Sequence, residues 1–116
     1  MQEDELEEIK KKLRTYKRED IIFNEPHFTN MLLLRDGNRE EVIRHLLEPD
    51  QLVYAYSEQG QYGDVVHCLN FKISNTRTMR LPVIFDKDGR KNLYILTYIM
   101  RYRPWQSMLR RGKRRR

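Results

Sequence analysis

Only one cysteine, Cys68, occurs in the sequence, which excludes an internal disulfide and any cysteine-cluster zinc site. Long apolar runs are missing as well. No stretch approaches the roughly 20 residues that a membrane-spanning helix needs, so no membrane is expected among the partners. The first residues, Met1-Gln2-Glu3-Asp4-Glu5, are acidic with no apolar segment behind them and do not read as a secretory leader. These absences point to a cytoplasmic protein. The four prolines and five glycines are too few for a low-complexity or linker-rich chain.

What is present is charge. Charged residues make up 34% and hydrophobic residues 39% of 116 residues, with a net charge of +6. That is the composition of one globular domain with a heavily charged surface. The positive charge is not spread evenly. Residues 1–20 carry seven acids against six bases, and residues 21–100 are also close to neutral. Residues 101–116 carry eight bases and no acid. A division into three parts follows: an amphipathic helix over 1–19, an α+β domain over 20–103 and a basic tail over 104–116.

Within the first part, Leu6, Ile9, Leu13 and Tyr16 recur at spacings of three and four and form one stripe. This helix is expected either to dock on its own core or to meet a partner. Ile21-Ile22-Phe23 reads as a short strand. Pro26 opens a helix running through Leu34, and Asp36-Gly37 closes it, with glycine taking the left-handed conformation. Asn38 caps a second helix over 39–47, with Glu41 three residues on, and Pro49 ends it. From Gln51 the pattern becomes β: Leu52–Tyr56, Val65–Ile73, Met79–Phe85 and Leu93–Tyr102. Asp86-Lys87-Asp88-Gly89 marks a hairpin. Pro82 should make its strand an edge or give it a bulge. The last strand is apolar on both faces, with Leu93, Ile95 and Ile99 on one and Tyr94, Leu96, Tyr98 and Met100 on the other, which places it centrally. The expected fold is α+β, with helices on one face of a four- to five-stranded, mainly antiparallel sheet.

Ile22-Phe23, His27, Arg35-Asp36-Gly37, Glu40-Glu41-Val42, Pro49-Asp50 and the late strand Leu93-Tyr94-Ile95-Leu96-Thr97 together give this chain a likeness to a known group. Over roughly residues 21–100 it resembles a family of small domains of unknown function grouped with the RelE/ParE and BrnT-type toxins. The extra N-terminal helix, the basic tail and Asn38 after the turn glycine depart from the family's pattern. The resemblance implies a RelE-like fold and a toxin-like, metal-independent endoribonuclease that uses no cofactor and pairs with an antitoxin. It also implies a site of Arg, Lys and Tyr on the sheet rather than a His pair.

Cleaving RNA without a metal requires a base for the 2′-hydroxyl, an acid for the leaving oxygen and cations for the phosphorane. Lys72, Arg80, Tyr98 and Arg101 can gather on one face of a concave sheet, with His27 at its margin. These five are the candidate catalytic residues. His27 has two readings: a neutral base at a helix N-terminus, or a ring bonded to the backbone there. Arg35 lies eight residues on, roughly 12 Å along the helix and about 80° around it, so helix geometry alone does not pair the two. His67 reads as a core histidine and His45 as a surface one. Arg35, Arg77, Arg103, Trp105, Arg110, Arg111 and Lys113 are the candidate nucleic-acid-binding set, because bases with interleaved aromatics suit phosphates and stacked bases. The expected partners are RNA, an acidic antitoxin or other protein, and a second copy in a homodimer. The alternative to the nuclease is a non-catalytic nucleic-acid-binding protein that uses the same tail and sheet face.

Overall fold

The structure is a computed structural model and describes residues 3–103. Helix α1, Glu3–Arg14, carries Lys11, Lys12 and Arg14 in its last turn, the sign its C-terminal dipole favours. Its stripe docks on the chain's own core. Leu13 and Tyr16 are buried, and Leu6 and Ile9 pack against the same cluster. Strand β1, Ile21–Phe23, leads to α2, His27–Leu34, and α3, Arg39–Leu47. The Asn38 side chain accepts from the Glu41 amide at 3.1 Å, so α3 begins where the cap predicts. After a 3₁₀ turn at Pro49–Gln51 come β2, Leu52–Gln59; β3, Val65–Ser74; β4, Arg77–Phe85; β5, Leu93–Ile95; and β6, Ile99–Arg101.

The sheet order is β1-β5-β4-β3-β2, with β6 also paired to β4. β1 runs parallel to β5 and the other pairings are antiparallel. The sheet has six strands rather than four or five, because the expected strand over 93–102 is broken in two. The break has an identifiable cause. The Pro82 carbonyl accepts from the Leu96 amide at 2.9 Å, so the same edge of Pro82 presents its ring nitrogen toward this strand, where no N–H exists to continue the ladder. β4 pairs Val83 with Ile95 on one side of the break and Arg80 with Ile99 on the other. One extra residue therefore sits in the partner strand, as in a bulge. Proline places the irregularity in the neighbouring strand, and β4 itself is interior.

That extra residue reverses the inward–outward alternation. Leu93 and Ile95 face the helices before the break, and Tyr98 and Met100 face them after it. All three helices lie on this face, over a core that includes Phe28, Leu32, Val42 and Leu46 from the helices and Leu69, Phe71, Met79 and Leu81 from the sheet. Asp86 ties α1 to the β4–β5 turn. Its carboxylate accepts from Lys12 Nζ at 2.6 Å and from the Tyr16 hydroxyl at 2.7 Å.

These donors, Lys12 first and then Tyr16, hold the Asp86 carboxyl below its ordinary range. A carboxyl lowered on folding stabilises above its unfolded pKa, near 3.9, and loses that contribution as pH falls through the folded value. Asp86→Ala should lower the urea-unfolding free energy at pH 7 by about 1–2 kcal/mol, because a buried phenol and an ammonium lose their acceptor. The gap to the parent protein should close below pH 4. A constant gap at every pH would assign Asp86 no such role.

Candidate nucleic-acid interface

Strands β2, β3, β4 and β6 turn alternate residues away from the helices. The register fixes who is neighbour to whom on that second face. One row across the sheet is Tyr54, Asn70, Arg80 and Ile99, and the next is Lys72, Thr78 and Arg101. Tyr56, Cys68 and Pro82 form the row on the other side. Three cations thus stand in two adjacent rows, and no carboxylate belongs to any of the three. No described helix covers this face.

Arg80 sits among the tyrosines. Its Nη2 donates to the Tyr56 hydroxyl, and its guanidinium carbon lies 5.3 Å from that ring's centroid. The Tyr54 and Tyr56 rings are 5.7 Å apart. The Arg80 Nε is buried with no acceptor, and so is that of Arg101. Burial, then the positive charge of Arg101, holds the Arg80 guanidinium below its ordinary pKa. Two arginines in adjacent rows are therefore held with buried Nε donors unmet, and no described residue of these rows supplies a counter-charge. An anion with several acceptor oxygens would satisfy both.

Beyond these rows the face turns apolar. Val66, Cys68 and Ile84 pack with Tyr56, Tyr94 and Leu96. Glu58 stands at this end, its carboxylate 3.7 Å from Cys68 Sγ. Burial, with Glu58 nearby, pushes the Cys68 thiol up to about 12. It is a neutral packing group and not a nucleophile.

The structure brings together three of the five residues expected to form a catalytic site, Lys72, Arg80 and Arg101. Tyr98 is not with them. It is 1% exposed and lies under α2, edge-on to Phe28 at 6.3 Å, because the bulge opposite Pro82 turns it to the helix side. Burial, then Glu41, raises its pKa. His27 is exposed at the start of α2, where its Nε2 is 2.9 Å from the Thr97 hydroxyl, at the break between β5 and β6. Its ring bonds a side chain there and not the backbone.

The expected nucleic-acid set divides as well. Arg77 has the parity of the core residues Met79 and Leu81 along β4, and Arg35 caps the C-terminus of α2, so both belong to the helix side of the sheet. Arg35 reaches Met31 Sδ at 3.7 Å, and Arg77 lies 5.9 Å from the Tyr102 ring. Arg77 shares the buried, unmet Nε of the other two arginines. The Arg103 carbonyl accepts from Thr78 Oγ1 at 3.1 Å. Trp105, Arg110, Arg111 and Lys113 lie outside the described residues. His45, expected at the surface, is buried at 9% exposure. Its Nδ1 is 2.8 Å from the Glu41 carbonyl and its ring edge meets Phe71. His67 is half-buried beside Phe85, and burial lowers its pKa.

Tyr54 and Tyr56 are the residues that sequence reasoning missed. The signal was there: aromatics at i and i+2 of a strand share a face. Among the described residues no group of three or more His, Cys, Asp and Glu side chains is placed to hold a metal ion, and no helix is long and apolar enough to cross a membrane. No protein-family model, no curated protein and no solved structure matches this chain.

Proposed function

We propose that this chain is a cytoplasmic RNA-binding domain that takes the phosphate backbone on the helix-free face of its sheet. The observation that carries the reading is the grouping of Lys72, Arg80 and Arg101 in adjacent rows without a carboxylate, two of them with buried Nε donors unmet. Stability alone gains little from such a grouping, because like charges set close together repel and each buried donor left unmet costs free energy. The basic tail adds non-specific attraction for the same polyanion. An acidic protein segment, such as an antitoxin would present, would compete for this face.

A second reading has its own support. The order strand, two helices and β-meander follows the pattern of the RelE-related family, and three grouped cations are what a phosphorane requires. With Tyr98 in the core, the hydroxyl beside these cations is that of Tyr56. It accepts from Arg80 and so keeps its own proton free to give to a leaving oxygen.

Incubation with RNA in EDTA distinguishes binder from nuclease. For a binder the RNA stays intact, and Lys72→Ala reduces the salt slope of log affinity by roughly 0.7, one single-strand phosphate contact. For a nuclease, products carrying 2′,3′-cyclic phosphate accumulate. Tyr56→Phe then stops cleavage by 10²-fold or more while leaving affinity within about twofold. If RNA is neither bound nor cut, both readings fall.

A further inference from the structure

The helix-free face has two halves of opposite chemistry, and an RNA duplex matches only one of them. Lys72, Arg80 and Arg101 lie in the rows toward the β6 end of β4, whereas Tyr56, Cys68, Val66, Ile84, Tyr94 and Leu96 occupy the other half. Tyr54 and Tyr56 stand on the boundary with rings 5.7 Å apart. A duplex presents phosphate and sugar outward and hides its base faces in the stack. Against this surface it would cover the aromatic half with charge and gain nothing there. An unpaired strand is itself two-sided, with a charged backbone along one edge and flat apolar bases along the other.

We infer that this face selects unpaired RNA, with phosphates on Lys72, Arg80 and Arg101 and bases stacked on Tyr54 and Tyr56 toward the apolar half. The inference rests on the RNA-binding reading above and adds the substrate class. The Arg80–Tyr56 contact couples the two functions. It fixes the guanidinium at the boundary, so that one residue faces the phosphate while its neighbour offers a ring. Four strands, β2, β3, β4 and β6, contribute to the platform. A sheet of that width carries about two to three stacked bases, so the sheet's own footprint is short and further length engages only non-specific charge. Glu58, at the far end of the apolar half, repels a backbone that would track across it and so orients the strand.

The test uses the full chain in EDTA and two labelled probes followed by fluorescence anisotropy. One is a 12-nucleotide RNA without self-complementarity, and the other is the blunt 12-base-pair duplex it forms with its complement. The single strand should bind at least 10-fold more tightly. Tyr54→Leu should weaken single-strand binding by about 10-fold, on the scale of one lost base stack, with the salt slope unchanged and duplex binding unaffected. Tyr54→Phe, which keeps the ring, should restore the affinity. Circular dichroism melts confirm that both variants fold. Equal or tighter duplex binding, or a Tyr54→Leu variant with parental single-strand affinity, overturns the inference and leaves RNA binding itself standing. Failure to bind either probe removes the RNA-binding reading and the inference with it.

Discussion

Gly37→Ala should destabilise this protein by about 2–3 kcal/mol, whereas Asp36→Gly, one residue earlier, should stabilise it by roughly 0.5–1 kcal/mol. The two residues close α2 with different jobs. Asp36 takes the left-handed conformation, with φ of 52°. Gly37 N–H donates to the Leu32 carbonyl at 2.7 Å and Asp36 N–H to Leu33 at 3.4 Å, the paired bonds of a Schellman ending. An L-residue pays for that left-handed position, and glycine would not. Gly37 needs no positive φ. It is glycine because a Cβ there would stand 2.8 Å from the Tyr98 ring and 2.6 Å from Leu32 Cδ2. Buried Tyr98 cannot move aside without opening the core. Urea unfolding of both variants measures the difference. A double-mutant cycle with Tyr98→Leu should recover part of the Gly37→Ala loss, because the smaller side chain removes the overlap with the ring while that with Leu32 Cδ2 remains. Additive losses would show that Tyr98 is not what Gly37 accommodates.

The same pair of residues shows what the sequence conveyed and what it could not. Asp-Gly after an apolar run announced a helix end, and a helix ends there. Which of the two would carry the positive φ depends on what packs above the turn, and Tyr98 arrives there from 61 residues away. Local patterns behaved well wherever the cause was local. The Asn38 cap, the α1 stripe, the hairpin after Phe85 and the helices gathered on one face were all legible.

The misplaced Tyr98 has its origin in the bulge opposite Pro82. Proline in a strand signalled an irregularity but not which strand would carry it, and a shift of one residue sends Tyr98 to the opposite face. Strict alternation carried on from Leu93 and Ile95 would send Tyr98 to the helix-free face with Arg80 and would turn Arg101 to the core side; the bulge exchanges the two, so the Tyr98 ring lies under α2 and Arg101 stands in the row next to Arg80. His45 is buried for a different reason. Its flanking Arg44 suggested a wet surface, but its ring meets Phe71, a contact that only the packing of α3 on the sheet creates. The grouping of Lys72, Arg80 and Arg101 follows from two short stretches of regular pairing, Asn70–Lys72 with Thr78–Arg80 and Thr78–Arg80 with Ile99–Arg101, each bounded by an irregularity.

Arg101→Met should make the protein more stable and a poorer binder of RNA. Arg101 and Arg80 are like charges close enough for one to shift the other's pKa, and each has a buried Nε without an acceptor. An unmet buried donor costs about 1–3 kcal/mol, and partial exposure of the guanidinium reduces this toward the lower limit. Methionine retains the length and apolar stem without the charge. The melting temperature should rise by about 4–8 °C, the shift that about 1 kcal/mol produces in a domain of this size. Affinity for single-stranded RNA should fall by about 10- to 100-fold, the loss of a charge-assisted contact with a phosphate. Arg101→Lys, which keeps the charge but not the planar fork, should recover part of the affinity. Gain and loss in one substitution are what distinguish a site held ready for an anion from a structural arginine, whose removal would lower both quantities. A lower melting temperature for Arg101→Met, or unchanged affinity, would place this arginine in the scaffold and leave Lys72 and Arg80 to account for binding.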